Sequence, residues 1–117
     1  YSGAEISAYI AGKDEIIELK ADMMPVGIGL GEEKSFNLRT EIIEKGDVLY
    51  MFTDGFPDQF GGVRGKKFMT ANVLKMLYEV KKLPLADQKE IIETRLAKWQ
   101  GDHKQIDDIL FAGFKFD

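Results

Sequence analysis

Five consecutive apolar residues, Val48-Leu49-Tyr50-Met51-Phe52, stand between Gly46-Asp47 and Thr53-Asp54-Gly55, and no other feature constrains the chain as tightly. Successive side chains of a strand point to opposite faces, so a run that is apolar throughout needs cover on both. It belongs in the middle of a sheet, and the turn residues at its two ends set its limits.

The neighbouring segments supply the rest of that sheet. Glu5 to Ile10 alternates, with Ile6, Ala8 and Ile10 on one face. Ala11-Gly12-Lys13-Asp14 reads as a tight turn and Glu15 to Lys20 as the return strand of a hairpin. Pro25 and the alternating glycines of Met23 to Gly31 break any regular element, and Met23 and Met24 read as gap fillers. Phe36, Leu38, Thr40 and Ile42 recur with a period of two, which predicts a half-buried strand over 35–42. After the central strand the period changes. Val73, Leu74, Leu77 and Val80 fall at helical spacing behind Thr70, a candidate N-cap, and Ile92, Leu96 and Trp99 form a second stripe between Pro84 and Gly101. With Lys81-Lys82-Leu83 between them, the two helices are expected to pack as an antiparallel pair. A last strand is predicted over 109–116, with Leu110, Ala112, Phe114 and Phe116 on one face; Trp99 and the phenylalanines at 111, 114 and 116 read as core. The expected fold class is α+β, a mostly antiparallel sheet with an antiparallel helix pair.

Composition excludes several functions. The 117 residues carry 16 Lys+Arg against 20 Asp+Glu, a net charge of −4, which argues against a nucleic-acid binder. There is no cysteine, so disulfides, thiolate metal sites and cysteine nucleophiles are out. Hydrophobic residues make up 44% of the chain, enough for a packed core. No signal segment or lipidation motif is visible, and the expected location is the cytoplasm, a reading that a parent protein anchored to a membrane through upstream segments would not contradict. The chain opens at Tyr1 in strand-like sequence, so it is expected to be part of a longer protein. Strands missing upstream would leave an unpaired sheet edge, for which a dimer or higher form of the isolated chain is expected.

Chemistry concentrates in the acids at the strand ends. Asp54 follows the central strand and Asp107-Asp108 precedes the last one. Carboxylates at the ends of adjacent strands repel unless a hard divalent cation lies between them, and Mg2+ and Mn2+ favour such oxygen ligands. On spacing alone the simpler reading is that Asp54 forms a turn and Asp107 and Asp108 cap a strand, because Asp-Gly is a very common turn pair. Gly27-x-Gly29-x-Gly31 lacks the spacing and following helix of a nucleotide loop, and Gly61 to Lys67 lacks the spacing and final Ser/Thr of a Walker loop. Arg64, Lys66 and Lys67 read first as a solvated loop and second as a lure for a phosphorylated segment. His103, the single histidine, lies in a polar loop and is expected to be exposed.

Five segments in order carry a resemblance. Gly46-Asp47-Val48-Leu49-Tyr50-Met51-Phe52-Thr53-Asp54-Gly55 resembles the Gly-Asp, apolar strand, Thr-Asp-Gly segment of bacterial PPM-type serine/threonine phosphatases, in particular the stage II sporulation protein E (SpoIIE) branch. Before it, Tyr1-Ser2-Gly3-Ala4 and Met24-Pro25-Val26-Gly27-Ile28 are similar to that branch's Ala-Gly-Ala and Pro-apolar-Gly stretches. After it, Phe60-Gly61-Gly62 with Gly65-Lys66-Lys67-Phe68, and Trp99-Gln100-Gly101 with Gln105-Ile106-Asp107-Asp108-Ile109, resemble the loop behind the motif aspartate and the closing segment.

The resemblance implies that residues 1–117 form the C-terminal portion of one PPM-type domain, part of its α-β-β-α sandwich. It implies two Mg2+ or Mn2+ ions that activate a water to attack phosphorus, a chemistry two-metal sites perform without a covalent intermediate. Asp54 and Asp107 take the places of catalytic metal ligands, and Asp108 lies beside them in an outer position. Arg64, Lys66 and Lys67 are candidate substrate contacts. The implied partners are a phosphoprotein, such as an antagonist of an anti-sigma factor, and an upstream sensor or response-regulator domain. Nothing before Asp54 matches the family's Gly-Asp segment, whose aspartate bridges both ions, or its Gly-His-Gly stretch. The chain is thus expected to hold about half of a metal site and to be inactive alone, and Glu5-Ile6-Ser7 departs from the small polar residues and Pro usual at that position. A degenerate, non-catalytic phosphatase-like module that binds or regulates a partner is the alternative.

Overall fold

The computed structural model describes residues 7–20 and 42–117. The predicted strand over 35–42 and the Met23 to Gly31 segment lie outside these residues, apart from Ile42, which is not in a strand. In chain order the elements are strands β1 (Ala8–Ala11), β2 (Ile16–Leu19), β3 (Val48–Phe52), β4 (Phe60–Gly61) and β5 (Lys66–Lys67), helices α1 (Thr70–Val80) and α2 (Leu85–Gln100), and strand β6 (Phe111–Lys115).

β3 lies inside a four-stranded sheet of order β2-β1-β3-β6, as its apolar run requires. Each of the three pairings is antiparallel, with Tyr9 opposite Tyr50 and Tyr50 opposite Gly113. One face holds Tyr9, Ala11, Val48, Tyr50 and Phe52, and packs on Phe56, on Val73, Met76, Leu77 and Val80 of α1, and on Ile92 of α2. Rings line this side: Phe52 stacks on Tyr9 at 5.3 Å and on Phe111 at 5.9 Å. The opposite face buries Ala8, Ile10 and Leu19, with Leu49 and Met51 half-buried against them. Its cover thins toward β6. Phe114, the cross-strand partner of Leu49, is 56% exposed.

That exposure corrects one expectation. Strand alternation puts Phe111 and Gly113 on the helix-facing side and Ala112 and Phe114 on the other, so Phe111 joins the core and Phe114 does not. The Tyr50 ring lies over Gly113, where a Cβ would come into contact with it at 3.4 Å. A second correction concerns α1. Thr70 is its first residue, not its cap; the N-cap position is Met69, which adopts a positive φ of 79° and makes no side-chain cap bond. The Met69 carbonyl accepts from the amides of Asn72 and Val73, while the Asn72 side chain reaches back to the Phe68 carbonyl. α2 follows its expected limits, with Pro84 before it and Gly101 after it at φ 50°, donating to the Ala97 carbonyl.

Two buried polar side chains fasten the helices to the sheet. Gln88 of α2, 2% exposed, accepts a hydrogen bond from the Tyr50 hydroxyl at 2.5 Å and donates to the carbonyls of Leu83 and Lys81. It thus ties the central strand to the α1–α2 corner. Lys81, in that corner, donates to the carbonyls of Gly12 and Lys13, both at 2.6 Å, and its ammonium sits 4.2 Å from the Tyr78 ring centroid. The β1–β2 turn is therefore pinned to the end of α1. Among the described residues no helix is long and apolar enough to cross a membrane.

Burial pushes the Tyr50 hydroxyl up from its ordinary 10.0 to about 12. Between those values the unfolded chain has lost a proton that the folded chain keeps. The resulting stabilisation is complete below pH ~10 and declines as pH rises toward 12. Tyr50→Phe should cost about 1–3 kcal/mol near neutrality, because it leaves Gln88 Oε1 buried without its donor. In urea titrations the variant should also lack the part of the alkaline loss that belongs to this hydroxyl.

Candidate metal centre at the β3–β6 junction

The end of β3 and the approach to β6 lie side by side because the two strands are antiparallel neighbours. Where the ladder ends, Thr53 continues it in modified form. Its amide donates to the Leu110 carbonyl at 3.0 Å, as a ladder residue would. Its hydroxyl donates to the Asp108 carbonyl at 2.8 Å and accepts from the Leu110 amide at 3.0 Å. Gly55 then packs on the same segment. A Cβ at that position would overlap the carbonyl of Asp108 and crowd the backbone of Asp107. Asp54 therefore sits between two residues that both touch the Asp107–Asp108 backbone.

A tight turn presents Asp54. The Thr53 carbonyl accepts from the Phe56 amide and the Asp54 carbonyl from the Asp58 amide, while Phe56, 1% exposed, anchors the turn in the core. Asp107 Oδ1 accepts from the amide of Asp108 at 2.7 Å, which orients its carboxylate, and Gln105 donates to the Asp107 carbonyl. Asp54, Asp107 and Asp108 are all exposed, and none forms an ion pair among the described residues. Oxygen donors with no protein cation to neutralise them suit a hard divalent ion. Among the described residues, however, no group of three or more acids or histidines converges. The donors fit a divalent cation in kind, and they amount to part of a coordination set.

The basic residues lie on a short hairpin, β4–β5, which sequence reasoning treated as a plain loop. Lys67 pairs with Asp58 at 3.5 Å, whereas Arg64 and Lys66 are exposed with no ion pair among the described residues. Gly61 and Gly62 let the hairpin press on Trp99, since a Cβ at either would collide with that residue. The Gly62 amide donates to the Trp99 carbonyl, and Trp99 Nε1 donates to the Gln59 carbonyl. Gln59, fully buried, also donates to the Lys104 carbonyl. His103 is half-buried, with Nε2 3.2 Å from the Gly62 carbonyl, so it supports the hairpin and does not stand free in solvent. Thr53, Gln59 and His103 were not singled out from sequence as parts of a site. The legible hint was the pairing of Phe-Gly-Gly with Trp-x-Gly, whose small residues allow the close contact.

A cavity of about 550 Å³ lies elsewhere, between α2 and the helix-facing side of β3 and β6, lined mainly by apolar residues such as Phe56, Ile92, Leu96 and Phe111. None of the three aspartates borders it.

The Stage II sporulation protein E (SpoIIE) family model matches residues 2–117. The chain belongs to the SpoIIE family of PPM-type phosphatases. It is similar to the solved SiaA-PP2C domain of Pseudomonas aeruginosa, with 35% identity and a TM-score of 0.88 over 97% of this chain. The match spans 44% of the SiaA chain. No curated protein gives a significant match. An antiparallel sheet with two helices is the α+β arrangement expected of part of a PP2C-like fold.

Gly55→Ala tests the junction directly. No positive φ is involved, so the whole effect comes from the methyl group meeting the Asp108 carbonyl. The expected loss is about 1–3 kcal/mol in urea unfolding, the usual cost of overpacking a filled site. Amide exchange should quicken at Leu110, whose bond to Thr53 the displacement would break.

Proposed function

We propose that the full-length protein is a divalent-metal-dependent phosphatase that hydrolyses phosphoserine or phosphothreonine on a bacterial signalling protein. The observation that carries this reading is the junction itself, where Thr53 and Gly55, on either side of Asp54, both contact the Asp107–Asp108 backbone, and where all three carboxylates lack a protein cation among the described residues. Membership of the SpoIIE family supports the reaction class. Asp54 and Asp107 would hold the metal, with Asp108 beside them. Bound Mg2+ or Mn2+, two ions in an intact PPM domain, would supply an acidified water and neutralise charge on the phosphoryl oxygens. The chain's own acids set where that cation sits. The Asp108 amide, which orients the Asp107 carboxylate, and the turn that carries Asp54, anchored on Phe56, support this reading.

Arg64 and Lys66, on the hairpin braced by Trp99 and His103, would attract the phosphorylated segment through their unpaired charge. An antagonist of an anti-sigma factor is the substrate class this reading favours, with a sensor or response-regulator domain upstream as the controlling partner. A non-catalytic binding module is the second reading. It is favoured by the lack, among the described residues, of any group of three or more acids or histidines placed to hold a metal.

Thermal unfolding of the full-length protein with Mn2+ separates the two. A ligand that binds only the folded state at one hundred times its Kd adds ~2.7 kcal/mol. The phosphatase reading expects a Mn2+-dependent rise in Tm and hydrolysis of a phosphoserine peptide, both lost in an Asp54→Asn, Asp107→Asn double variant. The module reading expects neither response in the wild type.

A further inference from the structure

We infer that the Thr53 hydroxyl is a positioning residue for the metal site, holding the Asp107–Asp108 segment at a set distance from Asp54 by standing in for a backbone carbonyl of the sheet. The inference rests on a cation being bound at Asp54 and Asp107.

The bonding at the junction shows the substitution. In an antiparallel ladder, a hydrogen-bonded pair exchanges two amide–carbonyl bonds. Thr53 and Leu110 make one of these, from the Thr53 amide to the Leu110 carbonyl. The reciprocal bond is missing, because the Thr53 carbonyl has turned away to accept from the Phe56 amide and start the turn that carries Asp54. The Leu110 amide is satisfied by Thr53 Oγ1 instead, at 3.0 Å. A hydroxyl has one proton and two lone pairs, so after accepting from Leu110 it can still donate. It does so to the Asp108 carbonyl at 2.8 Å.

One side chain thus lets two incompatible demands be met. The chain must leave the sheet to present Asp54, and residues 108–110 must remain fastened to the sheet end. A backbone carbonyl serves only one of these here. A Cβ-branched side chain with a restricted rotamer serves the other, at a fixed reach. Gly55, on the far side of Asp54, lacks the Cβ that would push the same backbone away. The glycine permits the close approach of the two acidic loops, and the Thr53 hydroxyl fastens it. A cation with short, rigid metal–oxygen distances is sensitive to the gap between them, as it is to any partner that orients its ligands.

The test uses full-length protein and Mn2+ itself, with Thr53→Val (equal in shape, no hydroxyl), Thr53→Ala and Thr53→Ser, and the Asp54→Asn, Asp107→Asn variant as control. Each protein's Tm is followed against Mn2+ concentration, relative to its own metal-free Tm. This reads metal affinity without activity. Loss of the hydroxyl in Thr53→Val and Thr53→Ala should raise the Mn2+ concentration for half-maximal stabilisation by about 10–100-fold, the usual effect of removing a group that orients a ligand. Thr53→Ser, which keeps the hydroxyl, should stay near wild type. A merely structural role would lower the metal-free Tm of Thr53→Val and Thr53→Ala and leave their Mn2+ midpoints at the wild-type value, and that result overturns the inference while the metal site stands. A wild type with no Mn2+ response overturns the metal reading, and this inference with it. Thr53→Ala, which removes the hydroxyl without placing a methyl group against the Asp108 carbonyl, decides the question should Thr53→Val fail to fold.

Discussion

A strand without a polar side-chain face has to be covered on both sides, and that requirement at β3 organises everything around it. One side is closed by the two helices, and the only polar atom β3 turns toward them is the Tyr50 hydroxyl. Burying a hydroxyl without a partner is costly, so the helix above it needs an acceptor at that point. Gln88 supplies it, and its amide nitrogen in turn satisfies carbonyls at the α1–α2 corner. Lys81 then extends the connection to the β1–β2 turn. A chain of buried polar contacts therefore sets where both helices sit on the sheet, while apolar contact supplies the bulk of the burial.

The candidate site is a consequence of the same strand ending. Two antiparallel neighbours necessarily bring the residues that follow one strand next to those that precede the other. Asp54 and Asp107-Asp108 occupy these two places, and Thr53 and Gly55 close the gap between them. In that arrangement the Thr-Asp-Gly tripeptide divides the work by residue type: a hydroxyl that fastens, a carboxylate that is presented, and a missing Cβ that permits contact. The unneutralised acids are tolerated in exposed positions because water screens them, and they are available to a cation for the same reason.

Much of this was legible in the sequence. The central strand, the first hairpin, both helices, the Gly101 stop and the acids at the strand ends follow from apolar period and turn chemistry, and the ordered motifs pointed to the family that the comparisons bear out. Other features were not. Phe114 reads like its neighbours in β6, yet lies on the face that is left half open, because alternation tells which residues share a face but not which face is covered. Gln59, Lys81 and Gln88 are polar residues that composition assigns to the surface; each is buried with a hydrogen bond to a partner distant in sequence. Thr70 resembles an N-cap, but the helix starts one residue earlier than that would need, with Met69 in the N-cap position at a positive φ and its carbonyl accepting from the Asn72 and Val73 amides.

The sequence by itself determined the central strand, the first hairpin and both helices, and which residue types could bind a cation, since these depend on local period and intrinsic side-chain chemistry. Tertiary structure alone decided that a threonine hydroxyl would complete the sheet in place of a carbonyl, that a histidine would brace a basic hairpin, and that two acidic loops would meet across a glycine. Each of these is a contact between residues 41 to 57 positions apart, and such contacts form only once the chain is packed.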